Sequence, residues 1–187
     1  MLEKMPSALG HALHGVRAGF GKIASEDETL RAPAVLRVSS QAFAEGERLP
    51  ARCTADGEGV SPALAWSGVP LGTETLALIV EDADAPTPEP IVHGLAWGLS
   101  LNGELPEGAL DGEGAGGVTT GKNSYRKRGW LPPDPPSGHG PHRYVFQLFA
   151  LGETPKLDGA PSKGDFLDAI RPHLLAGGRL IGTYERT

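Results

Sequence analysis

A mainly β domain preceded by a helical extension is the fold class this sequence predicts, on three observations. From Val35 onward the apolar runs are short and are separated by clusters of Gly, Pro, Asp and Ser. The 187 residues include 27 glycines and 17 prolines, a turn-rich composition that suits many short strands better than long helices. Several of the runs also carry the two-residue period of a strand, in which alternate side chains face opposite ways.

In chain order, the first element expected is a helix. Leu2, Met5, Leu9, Leu13, Val16, Phe20 and Ile23 recur every three or four positions and form one apolar stripe. Gly10, Gly15 and Gly19 weaken such a helix in isolation. Its apolar face therefore needs a partner: its own domain, a second subunit or, with Lys4, Arg17 and Lys22 outnumbering Glu3, a membrane surface. The polar run over residues 25–31 reads as a linker, which makes residues 1–33 an extension and residues 34–187 the folded domain. Residues 75–80 (TLALIV) are apolar on both faces and predict a central strand. Over residues 92–100 the alternation puts His93, Leu95, Trp97 and Leu99 on one face. Over residues 142–151 it puts His142, Tyr144, Phe146 and Leu148 together. Ser162 and Asp165 have capping-box spacing ahead of Phe166, Leu167 and Ile170, so a short C-terminal helix starts there, kinked or restarted by Pro172. Gly177 and Gly178 read as its end, with residues 180–184 as a closing strand.

Composition removes several functions. A formal net charge of −6 argues against general nucleic-acid binding, which needs a basic surface to displace counterions. The lone Cys53 cannot form an internal disulfide and reads as a small core or strand residue. No apolar run has the length of a secretory signal or a membrane span, so a cytoplasmic location is expected. There is no internal repeat, serine elbow, P-loop or dinucleotide fingerprint.

The chemistry concentrates in two segments, residues 79–99 and 135–151. They hold Asp82, Asp84, His93, His139, His142 and Tyr144 in turns stiffened by Pro86, Pro132, Pro133, Pro135 and Pro136. A binding loop that is already rigid loses less entropy when a ligand arrives. Imidazole and phenol groups donate hydrogen bonds to an oxyanion, whereas a carboxylate repels one. Asp82 is thus expected to orient His93 or His142, or to face a ligand ammonium group. Anion affinity should then rise as pH falls through the histidine range. An alternative is a metal-assisted hydrolase, because His139-x-x-His142 with His93 and Asp82 offers enough N and O ligands for zinc.

These segments resemble the two signature regions of the phosphatidylethanolamine-binding protein family, in its bacterial Raf-kinase-inhibitor-like branch. The first is Asp82-Ala83-Asp84-Ala85-Pro86 followed by His93. The second runs over residues 135–144 as Pro-Pro-Ser-Gly-His-Gly-Pro-His-Arg-Tyr. Asp56 to Pro62 with Trp66, Gly121-x-Asn123-Ser124-Tyr125 and Ile181-Gly182-Thr183-Tyr184 extend the similarity over roughly residues 35–187. The resemblance implies an antiparallel Greek-key β-fold of two sheets with a C-terminal helical element. It also implies a small pocket for phosphate or phosphorylated head groups, phosphatidylethanolamine-like, and no obligate cofactor. By position, Asp82, His93, Pro136, His142 and Tyr144 would line that pocket, with Asp84 supporting the turn and His139 at the rim. A kinase or protease partner and a non-enzymatic role belong to the same expectation, and a homodimer is expected separately. Three departures stand out: Ala83 where the family often has proline, Leu131-Pro132 in place of a glycine-bearing stretch, and the cluster Arg126, Lys127 and Arg128, suited either to steering anions or to a solvated loop.

Overall fold

The computed structural model describes residues 7–186 apart from 102, 113, 115–117 and 158. Among these, a six-stranded sheet has the order β1-β9-β8-β4-β5-β7 and a three-stranded sheet the order β2-β3-β6. The strands are β1 (Ala34–Val35), β2 (Arg37–Ser39), β3 (Leu64–Ser67), β4 (Thr75–Asp82), β5 (Ile91–Leu99), β6 (Glu104–Leu105), β7 (Thr119–Thr120), β8 (His142–Leu151) and β9 (Leu174–Tyr184). Pairing is antiparallel except where β1 runs parallel to β9. No helix among the described residues is long and apolar enough to cross a membrane.

Strand β4 is buried along its whole length, as its doubly apolar sequence requires. Its inner face, with Leu76, Leu78 and Val80, packs with Tyr144, Phe146 and Leu148 of β8 against Leu64 and Trp66 of the smaller sheet. Each such side chain contributes about 1.5–3 kcal/mol on full burial. The outer face, with Ala77 and Ile79, packs under helix α2 (Lys163–Ile170) through Phe166, Leu167 and Ile170. Ser162 and Asp165 cap that helix reciprocally, as their spacing predicts.

The β5 alternation is corrected by two bulges. Val80 pairs with Gly94 but Glu81 pairs with Val92, so His93 is an extra residue; Gly98 is extra in the same way between Leu99 and Trp97. Leu95 and Trp97 therefore lie on the helix side, while His93 turns inward against Tyr144 and Trp130. The expected end of the helical stretch at Gly177-Gly178 is also corrected, because α2 gives way to a single turn at Arg171–His173 and β9 begins at Leu174. Those glycines serve the strand: a Cβ on Gly178 would come within 2.3 Å of the Leu36 carbonyl oxygen.

The N-terminal stripe does not form one continuous helix. Leu2 and Met5 lie outside the described residues; helix α1 spans only Ser7–Ala12, and Gly19 takes a φ of 107° that a helix cannot accommodate. Nor are residues 25–31 a loose linker. They wind into short turns at Ala24–Glu26 and Glu28–Leu30 and bury Leu30 under the outer sheet face. Buried Glu81 accepts from the Ala24 amide at 2.7 Å, and Gln147 accepts from the Ser25 amide at 2.6 Å, which locks this stretch to the sheet.

Candidate functional site

Antiparallel pairing sets Asp82, the last residue of β4, opposite Tyr144 near the start of β8 and opposite Ile91 at the start of β5. Three strand ends thus meet at one edge of the inter-sheet core. The His93 bulge aims a fourth side chain at the same place, its ring 5.0 Å from that of Tyr144 and edge-on to it. The loop between Leu131 and Pro141 closes over this edge. It is braced from behind by Arg186, whose guanidinium pairs with Asp56 and Asp134 and whose carbonyl accepts from the Gly138 amide at 3.1 Å.

Asp82 makes two bonds. One carboxylate oxygen accepts from the Asp84 amide at 2.9 Å, fixing the turn; the other accepts from His142 Nδ1 at 2.8 Å. Of the two histidines Asp82 was expected to orient, the structure selects His142. His142 Nε2 lies 2.7 Å from His139 Nδ1, and His139 Nε2 reaches the carbonyl oxygens of Leu13 and Val16 at 2.9 and 3.1 Å. Carbonyls only accept, so His139 Nε2 carries a proton; His142 Nδ1, facing a carboxylate, carries another. A bond between the rings needs a third, one more than two neutral imidazoles hold. Burial and the neighbouring His142 lower the pKa of His139.

His93 is arranged differently. Its Nδ1 donates to the Leu131 carbonyl at 2.6 Å, and the Leu131 amide returns a bond to the His93 carbonyl at 2.7 Å. Its Nε2 is buried with no hydrogen-bond partner among the described residues, and so is the Tyr144 hydroxyl. Burial pushes the His93 pKa below its usual 6.5, partly opposed by Asp82, and the same burial pushes Tyr144 well above 10. Near neutral pH the ring therefore presents an acceptor at Nε2, and the phenol keeps its proton. Each orphaned group costs about 1–3 kcal/mol, a large fraction of a typical domain stability of about 5–15 kcal/mol.

The remaining expected residues take supporting positions. Asp84 grips Arg143 through two side-chain bonds of 2.7 Å, with Arg17 at 3.2 Å. Burial would raise its pKa, but those arginine contacts hold it below the usual carboxylate range. Pro136 is buried and its carbonyl accepts from the His139 amide at 3.1 Å. Ala85-Pro86 and the polyproline turn are trans. The zinc alternative fits poorly: His139 and His142 spend facing ring nitrogens on each other, and no group of three His, Cys, Asp or Glu among the described residues is placed to hold a metal ion. In the basic cluster, Arg128 is committed to the carbonyls of Thr120 and Gly159, while Arg126 lines a separate cleft of about 450 Å³ beside α2.

Sequence reasoning missed the groups that act through backbone: the Leu131 carbonyl on His93, and the Leu13 and Val16 carbonyls on His139. Main-chain acceptors leave no mark on residue type. Trp130, its ring tilted against His93 at 6.1 Å, had a signal in its position just before the polyproline turn.

A family model described as phosphatidylethanolamine-binding protein matches residues 39–185. A UPF0098 protein of Methanothermobacter thermautotrophicus is 37% identical over 161 residues, covering 81% of this chain and 99% of its own. Among solved structures, a phosphatidylethanolamine-binding protein homologue of Chlamydia trachomatis superposes with a TM-score of 0.74 at 33% identity, covering 82% of this chain and 99% of that one. Escherichia coli YbcL, described as a member of the mammalian phosphatidylethanolamine-binding protein family, gives 0.76 at 29% identity, with 82% and 100% covered.

Proposed function

This chain belongs to the phosphatidylethanolamine-binding protein family, and from that membership we propose that it is a binding protein, not an enzyme, with a small site for phosphate or phosphorylated head groups. His93 and Tyr144 contact the ligand and His142 lines the pocket beside them, its ring nitrogens held by Asp82 and His139, with Pro136 and His139 forming the loop side and Asp84 holding the turn. The observation that carries this reading is the pair of orphaned groups, His93 Nε2 and the Tyr144 hydroxyl, on edge-on rings beside the Asp82–His142 pair. A phosphate oxygen satisfies both, and each hydrogen bond to a charged partner contributes about 1.5–3 kcal/mol.

The sign of the pH dependence follows from His93. With Nδ1–H committed to Leu131, a bond between Nε2 and a phosphate oxygen requires one proton between them, from the imidazolium or from the phosphate monoanion. Binding therefore takes up a proton. Calorimetric titration with phosphorylethanolamine between about pH 5.5 and 8 should show affinity rising as pH falls; an affinity independent of pH would count against the site as drawn.

A further inference from the structure

Residues 10–17 lie outside the stretch matched by the family model, yet they run directly over the histidine loop. The fit is close. A Cβ on Gly10 would sit 2.0 Å from the Ser137 carbonyl oxygen, so only glycine seats there. Arg17 donates to the Pro141 carbonyl at 2.9 Å and pairs with buried Asp84 at 3.2 Å. Between these points the Leu13 and Val16 carbonyls take the proton of His139 Nε2. The hold is also shallow, because His11, Ala12, His14, Gly15 and Val16 all remain exposed. Immediately downstream the character changes. The Ala18 and Gly19 amides donate to the Ala85 and Ala83 carbonyls at 2.8 and 2.9 Å, and Ile23 and Ala24 are buried. One end is anchored to the sheet and the other is held by a few polar contacts on the site's own histidine.

Resting on the anion reading above, we propose that residues 10–17 form an autoinhibitory strap. Its Leu13 and Val16 carbonyls hold His139, on the loop side of that site, through Nε2, and ligand entry requires release of the strap. A site whose competent state is only fractionally open binds more weakly by that fraction, so opening the strap raises the apparent affinity.

Two full-length variants open it through substitutions on the strap itself, leaving His93, His142 and Tyr144 in place. Gly10→Ala drives a methyl into the Ser137 carbonyl while favouring its own helix, and Arg17→Glu sets a carboxylate against Asp84. Calorimetry with phosphorylethanolamine should show both binding at least about tenfold tighter than the parent chain. Ligand should also speed amide hydrogen exchange across residues 10–17 of the parent. Unchanged affinity in both variants, or exchange that slows on ligand addition, would overturn the strap and leave the anion site standing. No binding by any of the three chains, with exchange showing the strap released in the variants, would instead overturn the anion site and the inhibition inferred from it.

Discussion

Glu81 and Asp82 are neighbours on β4, both carboxylates are buried, and they project to opposite faces of the sheet. On the outer face both carboxylate oxygens are paired: Glu81 accepts from Ala24, Gln147 and Lys163, and Gln147 accepts in turn from Ser25. On the inner face Asp82 starts a chain through His142 and His139, but His93 Nε2 and the Tyr144 hydroxyl beside it are left over. The difference teaches that buried charge by itself marks architecture. Buried polar atoms without partners, which also include the Trp66 and Trp130 indole nitrogens, mark a site only where they converge.

The comparison breaks first on stability. Glu81→Ala leaves Gln147 and the Ala24 amide without an acceptor, and Lys163 without its partner. The expected cost is about 3 kcal/mol, the lower end for a broken buried pair because Lys163 reaches solvent. Urea unfolding measures it, and a loss under about 1 kcal/mol would place Glu81 with the incomplete cluster. Phosphorylethanolamine affinity should stay within about twofold, since nothing on that face is left over.

Tyr144→Phe should do the opposite. It removes an orphaned hydroxyl, so stability holds or rises by up to about 1 kcal/mol, while affinity falls about tenfold for the lost charge-assisted bond. Equal losses in both measurements would mean that the hydroxyl has a structural partner.

The pH dependence of folding sharpens the contrast. His93 has a lower pKa folded than unfolded, so between that folded value and about 6.5 the unfolded chain binds more protons and stability falls as pH falls. The slope from this one group reaches about 1.4 kcal/mol per pH unit, and His93→Phe should remove it from a series of denaturant titrations. A variant with the parent's slope would show that His93 is not the group being desolvated.

The smallest effect belongs to the basic cluster. Changing Arg126, Lys127 and Arg128 to Gln should alter the salt dependence of ligand binding by less than about twofold, because Arg128 is tied to carbonyls and Arg126 opens on a different cleft. A larger change would restore the steering reading.

Much of the fold was legible in the sequence because it follows from burial. The uninterrupted apolar run of β4, the alternation of β8 and the capping box of α2 each encode one local choice, and the structure makes it. Where two chains must meet closely, residue type misled: the glycines of β9 read as a helix stop although Gly178 is there to admit the Leu36 carbonyl. The candidate residues were named by motif, but their pairing was not, since Asp82 could have held either histidine until the β5 bulge turned His93 toward Leu131. The N-terminal stripe promised a long helix, and tertiary contacts of backbone carbonyls and Glu81 replaced it with short turns.

The central claim is that His93 Nε2 is an acceptor without a partner that becomes a bond to phosphate by gaining a proton. Nitrogen NMR of the histidine side chains in the full chain, recorded at pH 7 with and without saturating phosphorylethanolamine, tests it directly. The expected result is a His93 Nε2 that is unprotonated in the free protein and shares a proton with the ligand when bound, with Nδ1 bonded to Leu131 in both. A His93 Nε2 that already carries a proton in the free protein, or one that ligand leaves unchanged, would contradict it.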